Sequence, residues 1–120
     1  IDNEKDWLNF FDVEIDQLIN NKQLVFLDIT ADWCATCQFN KLNVLNSDKV
    51  IQLFKDKKVT LVKADWTRPN PKINIFLEKY DRFGIPFNAF FSNKFPEGLL
   101  LSELLSEKEI VNVINKINDE

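Results

Sequence analysis

Leu24-Val25-Phe26-Leu27-Asp28-Ile29, running on through Thr30-Ala31-Asp32 into Trp33-Cys34-Ala35-Thr36-Cys37, is the stretch on which the fold turns. Its first half is a short apolar run with β-branched and aromatic members, the length and make-up of a buried strand. Its second half opens a helix, on which Cys37, Phe39, Leu42 and Leu45 follow. A helix amino terminus carries unpaired N–H groups and the positive end of the helix dipole, so a thiol placed there ionises more readily than a free one. Cys34 is the better placed of the pair, at the exposed end, with Cys37 shielded one turn inside. Two intervening residues bring both sulfurs within disulfide range. The pattern is that of a dithiol that cycles, and the other readings of two cysteines are half a zinc site or two inert thiols.

Asp28 interrupts the apolar strand. A carboxylate in that position is desolvated, which raises its pKa and suits it to take a proton from Cys37 when that thiol must attack. The alternative is an Asp solvated at a strand end or paired with Lys63.

Working outward, Ile15, Leu18 and Ile19 fit a helix over 12–21 ahead of the strand. Downstream, Ser47 can cap a helix carrying Val50, Ile51 and Phe54, and Val59 to Ala64 reads as the next strand. Pro69 and Pro71 mark a loop, the second proline fitting the first turn of a helix with Ile73, Phe76, Leu77 and Tyr80, which Gly84 is expected to stop. Phe87 to Phe91 is a strand, Pro96-Glu97-Gly98 a turn, and Leu99 to Leu101 its antiparallel partner. In the last helix Ser106 and Glu109 have capping-box spacing, and Ile110, Val113, Ile114 and Ile117 share one face. This order predicts an α/β domain: a parallel crossover, a hairpin added at the end, and a mixed sheet covered by helices on both faces. A single domain over 1–120 is expected, with 1–22 an amino-terminal extension and helix and 23–120 the core.

The composition narrows the chemistry. A chain of 120 residues, 45% apolar with eleven Phe, has the material for one packed core. The net charge of -4 has the wrong sign for neutralising phosphates, so no nucleic acid partner is expected. With no His, triads, Cys-His pairs and histidine metal clusters are excluded, and two Cys cannot build a four-ligand zinc site or a multi-disulfide scaffold. No apolar run approaches the ~20 residues of a membrane span, and no signal peptide is legible. The chain starts at Ile1 and contains no Met, which reads as a segment of something longer.

The chain resembles the thioredoxin superfamily from Leu24 to its carboxyl end. Asp28 in the strand, the Trp33-Cys34-Ala35-Thr36-Cys37 box and Gly84-Ile85-Pro86 ahead of a strand match that superfamily in order. Within it, Ala31-Asp32-Trp33-Cys34, Ala64-Asp65-Trp66-Thr67, Arg82-Phe83-Gly84-Ile85-Pro86 and Leu101-Ser102-Glu103-Leu104-Leu105 are similar to the C-terminal domain of the DsbD family. Members of that family are transmembrane thiol:disulfide interchange proteins that carry reducing equivalents into the bacterial periplasm. The resemblance implies a thioredoxin fold and a protein-disulfide reductase that needs no cofactor beyond its own Cys34–Cys37 pair and no metal. It implies Cys34, Cys37 and Asp28 as catalytic residues and a cis bond before Pro86. Trp33, Ile85 and Pro86 would contact substrate, the backbone of Ile85 pairing with an extended strand. Lys63 falls where thioredoxins often carry a lysine near the buried acid.

Two positions depart from the DsbD pattern. Gln38 and Lys41 stand where a basic and an acidic residue are usual, which makes Lys41 a second modulator and leaves proton handling to Asp28. Ala35-Thr36 lacks the His of strongly oxidising relatives, so a reductant is expected. The implied partners are other thiol/disulfide domains, with a membrane-embedded cysteine pair as donor and a periplasmic domain as acceptor. The implied form is a monomeric domain of an inner-membrane protein, facing the periplasm. The alternatives are a free-standing cytoplasmic thioredoxin or a module holding a soft metal such as Cu(I) between its sulfurs.

Overall fold

The chain was described as a computed structural model, which covers residues 6–119. Strand β2 (Val25–Thr30) lies at its centre, parallel to β3 (Thr60–Asp65) on one side and antiparallel to β4 (Phe87–Phe91) on the other. β5 (Leu99–Leu100) extends the sheet antiparallel to β4, and β1 (Trp7–Asn9) extends it parallel to β3. The order is β1-β3-β2-β4-β5, a mixed five-stranded sheet.

Period-2 alternation sends successive side chains of each strand to opposite faces. Val25, Leu27 and Ile29 of β2, with Val62, Ala64, Phe87, Ala89 and Phe91, meet α1 (Ile15–Asn20) and α4 (Pro71–Glu78). Phe26 and Phe90 point the other way. They pack against Val44, in the turn that follows α2 (Ala35–Asn40), Phe54 of α3 (Asp48–Asp56) and Ile110 and Ile114 of α5 (Glu107–Asp119). Each fully buried Leu, Ile or Phe contributes about 1.5–3 kcal/mol, and both faces contain several, so neither layer is dispensable.

Local signals fix where the helices start. Ser47 Oγ accepts the Val50 N–H at 3.3 Å, and Asn70 Oδ1 accepts from Lys72 and Ile73 with Pro71 in the first turn of α4. Ser106 Oγ accepts from the Glu109 N–H at 3.1 Å, but the Glu109 carboxylate turns to Ser102, taking its N–H and hydroxyl, so only half of the expected capping box forms.

Three further differences from expectation have clear causes. The amino-terminal stretch supplies β1, an edge strand too short for alternation to show and paired with residues far along the chain. The helix after Cys34 does not continue evenly: Lys41–Leu45 forms a π turn, with Asn46 N–H donating to Lys41 C=O. That wide turn directs Val44 and Leu45 inward and leaves Leu42, expected on the same helix, 70% exposed. Helix α4 ends at Glu78, and Asp81 rather than Gly84 takes the left-handed conformation that closes it, φ 56°. Gly98 does need its lack of a side chain, since at φ +89° a Cβ would lie 2.6 Å from the Phe91 ring.

Candidate active site

Beyond Thr30 the backbone leaves β2, and Cys34 becomes the N-cap of α2, its Sγ accepting the Cys37 N–H at 3.2 Å. Capping places the first sulfur against the orphan N–H groups of the helix start. Cys34 and Cys37 are joined as a disulfide with Cα atoms 5.2 Å apart. With Ala31 they form a small buried cluster against which Ile85 packs. The expected contrast in exposure between the two is absent in this oxidised state: Cys34 is 6% and Cys37 4% exposed. The Ile85–Pro86 peptide bond is cis, Pro86 is buried and Ile85 half-buried. Around this covered centre stand exposed aromatic groups, Trp33 at 61% and Phe83 at 86%.

Beneath the disulfide helix the sheet turns polar. Asp28 is on the same face as Phe26, opposite Lys63 of β3 and Asn88 of β4 in register. Asn88 Nδ2 donates to Asp28 Oδ1 at 2.8 Å. Burial pushes the Asp28 carboxyl up from 3.8 to about 6, and the Asn88 hydrogen bond and the charges of Lys63 and Lys41 only partly offset it. Asp28, Gln38, Lys41, Lys63 and Asp65 share a cavity of about 70 Å³, room for a few waters beside the carboxyl.

Every site residue expected from the sequence therefore falls in one of three adjoining places. Cys34, Cys37, Ile85 and Pro86 are at the covered centre, Trp33 on the rim, and Asp28, Lys41 and Lys63 in the polar layer below. Four residues had been assigned no role from the sequence. Asn88 pairs with Asp28 from a strand sixty residues away, and only its place two residues after Pro86 could have flagged it. Phe83 and Thr67 were each noted only as part of a resemblance. Thr67 holds the loop before Cys34, accepting the Asp32 N–H on Oγ1 at 2.9 Å and the Trp33 indole N–H on its carbonyl at 3.1 Å. Asn40 clamps the segment after β5, donating to Glu103 C=O and accepting the Leu105 N–H.

A strand-loop-helix redox disulfide over a buried acid, on a mixed sheet with helices on both faces, defines a thiol:disulfide oxidoreductase of thioredoxin fold. A family model described as thioredoxin-like matches residues 6–93, and the chain belongs to that family. Among curated proteins it is similar to the thiol:disulfide interchange protein DsbD of Campylobacter jejuni, 26% identical over 109 residues, 91% of this chain and 19% of the relative. It is also similar to DsbD of Pectobacterium atrosepticum, 35% identical over 78 residues, 64% of this chain and 13% of that protein. The chain thus spans about a fifth or less of the length of these relatives. Among solved structures, the oxidised C-terminal domain of Neisseria meningitidis DsbD superposes with a TM-score of 0.66 at 21% identity, covering 85% of this chain and 88% of that one. A thioredoxin from Thermus thermophilus superposes with a TM-score of 0.68 at 16% identity, covering 92% and 85%. The redox group in such domains is their own cysteine pair. Among the described residues no cluster of three His, Cys, Asp or Glu side chains could hold a metal, and no helix is long and apolar enough to cross a membrane.

Proposed function

We propose that the chain is a protein-disulfide reductase working as the C-terminal, periplasmic domain of a DsbD-like transmembrane reductase. The observation that carries this reading is the Cys34–Cys37 disulfide at the start of α2, above the carboxyl of Asp28, which burial pushes up to about 6. In the reduced form the Cys34 thiolate attacks a partner disulfide, the partner's S–S bond breaks, and one partner sulfur leaves as thiolate while the other stays bound to Cys34. Cys37 then gives its proton to Asp28 and attacks Cys34 Sγ. The mixed disulfide breaks, the second partner thiolate departs, and the Cys34–Cys37 bond forms with two electrons transferred. Trp33, Ile85 and Pro86 form the surface a partner strand meets, and Lys63 and Lys41 tune the acid. Electrons arrive from a membrane-embedded cysteine pair of the same protein and leave to another periplasmic domain.

The helix terminus is the main stabiliser of the thiolate, which sets the potential toward the thioredoxin end of the range, near about -270 mV, rather than the DsbA end, near about -120 mV. Equilibration with glutathione measures it, and a value above about -180 mV would sink the reductant reading. For the DsbD-like role, the reduced domain should pass electrons to a DsbD-type periplasmic domain much faster than to glutathione disulfide. Equal rates would leave a general reductase.

A further inference from the structure

We propose that Thr67 is a positioning residue that sets the pose of Trp33, and through it the affinity for disulfides embedded in proteins, by tying the loop before Cys34 at two points. The proposal rests on the reductase reading above. Asp32 lies between β2 and α2, outside both hydrogen-bond ladders, and its N–H is taken by Thr67 Oγ1 at 2.9 Å. That hydroxyl is itself oriented: its one proton goes to Asp65 Oδ1 at 2.6 Å, which leaves lone pairs to face Asp32. The same carboxylate oxygen accepts the Thr67 N–H at 2.9 Å, so Asp65 locks the turn and its charge strengthens both bonds. The Thr67 carbonyl then accepts the Trp33 indole N–H at 3.1 Å.

Main chain and side chain on either side of one peptide are thus held by one residue. The next residue along is the nucleophile, Cys34. Trp66 completes the device: its backbone N–H donates to Thr30 C=O at 2.7 Å, and its ring lies 6.5 Å from that of Trp33. An indole that is 61% exposed would ordinarily sample several rotamers. Held at its polar tip and flanked by Trp66, it presents one fixed apolar face beside the disulfide. A partner that covers this face then loses little rotamer freedom on binding, whereas a small disulfide reaching Cys34 does not use it. None of these bonds involves either sulfur, so the clamp acts on recognition rather than on thiol chemistry.

The test compares Thr67→Val, which keeps the shape and removes the hydroxyl, with Thr67→Ser, which keeps the hydroxyl. Insulin is the protein disulfide and 5,5′-dithiobis(2-nitrobenzoate) the small one. Immobilising one rotamer-rich side chain corresponds to roughly threefold to tenfold in binding, so Thr67→Val should raise KM for insulin by about that factor, with little change in kcat. Any loss in the rate with the small disulfide should be at least about threefold smaller. Thr67→Ser should restore the wild-type KM, and in a Trp33→Phe background Thr67→Val should add nothing further. Equal losses with both disulfides, additivity with Trp33→Phe, or a Thr67→Ser variant as poor as Thr67→Val would each overturn the clamp. If the wild-type chain reduced neither disulfide, the reductase reading would fail instead. The clamp is then judged without turnover, by hydrogen exchange at the Trp33 indole N–H: faster in Thr67→Val than in Thr67→Ser upholds it, and equal rates overturn it.

Discussion

Strand β2 shows two different surfaces to its two covering layers. Toward α1 and α4 it offers Val25, Leu27 and Ile29, each fully buried, with nothing polar among them. Toward α2, α3 and α5 it begins alike with Phe26, then changes to Asp28 and Thr30, with Lys63 and Asn88 alongside. The change comes where the disulfide helix crosses. One face of the strand is built for stability alone. The other gives up part of its apolar burial to hold a carboxyl out of bulk water, where desolvation moves it into the range useful for accepting a thiol proton. A single strand can do both because side chains two residues apart share a face while neighbours never do.

The largest effect should follow from breaking the chemistry above the polar face. Cys37→Ser removes the resolving thiol and leaves the nucleophile, so multiple turnover should be lost and a covalent mixed disulfide with the partner should accumulate, visible by mass on a non-reducing gel. Cys34→Ser should give no adduct. If the adduct formed with Cys34→Ser and not with Cys37→Ser, the assigned roles would be reversed.

On the apolar face, Leu27→Ala should cost about 2–5 kcal/mol in urea unfolding, the transfer loss plus the cavity left by a fully buried side chain, without altering the pH dependence of thiol exchange. A cost below about 1 kcal/mol would mean that this face is less tightly packed than its burial implies.

Asp28→Asn should act in the opposite sense on stability. A carboxyl held near 6 in the fold and at 3.8 when unfolded binds its proton more tightly in the native state. The contribution of Asp28 to native stability is therefore greatest below about pH 4 and falls as pH rises to about 6, by up to about 3 kcal/mol. Asparagine lacks that ionisation, so the variant should be more stable than wild type at pH 7, by less than this full figure because Lys63 loses its counter-charge, with the advantage vanishing near pH 4. The same variant should slow resolution of the mixed disulfide near neutral pH and spare the first attack by Cys34. A turnover unchanged across the pH range would remove Asp28 from the mechanism.

The contrast between the faces also marks how far the sequence could be read. Short apolar runs exposed β2, β3 and β4 and helical periodicity exposed α5, and Cys34, Cys37 and Asp28 stood out because their chemistry is rare inside an apolar run. Trp7–Asn9 has no room for a pattern, and the π turn at Lys41–Leu45 alters which side chains face inward without changing their types. The roles of Asn88 and of Thr67, the latter quoted only within a resembling stretch, were hidden for another reason. Each acts on a residue brought near only by strand pairing or loop closure, and an Asn in a strand or a Thr in a turn has many ordinary uses.

The smallest expected effect concerns Asn88 itself. It is 3% exposed, its Nδ2 donates to Asp28, and its Oδ1 is buried with no hydrogen-bond partner. An ionised Asp28 can only accept, so it uses the amide N–H; a protonated Asp28 gains a donor, and the vacant Oδ1 is an acceptor on the same side chain. Asn88→Ala removes the bond made to the charged form, which should move the Asp28 midpoint upward from about 6. It also removes the acceptor available to the neutral form, which works the other way and keeps the rise small. Carboxyl ¹³C NMR titration of the reduced protein would measure it, with Asn88→Leu as a second variant that fills the space without either polar atom. A large rise in both variants would show that Asn88 serves the ionised state alone. A midpoint that fell would mean that Asn88 chiefly stabilises protonated Asp28, and the polar face would then be a proton store rather than a base awaiting one.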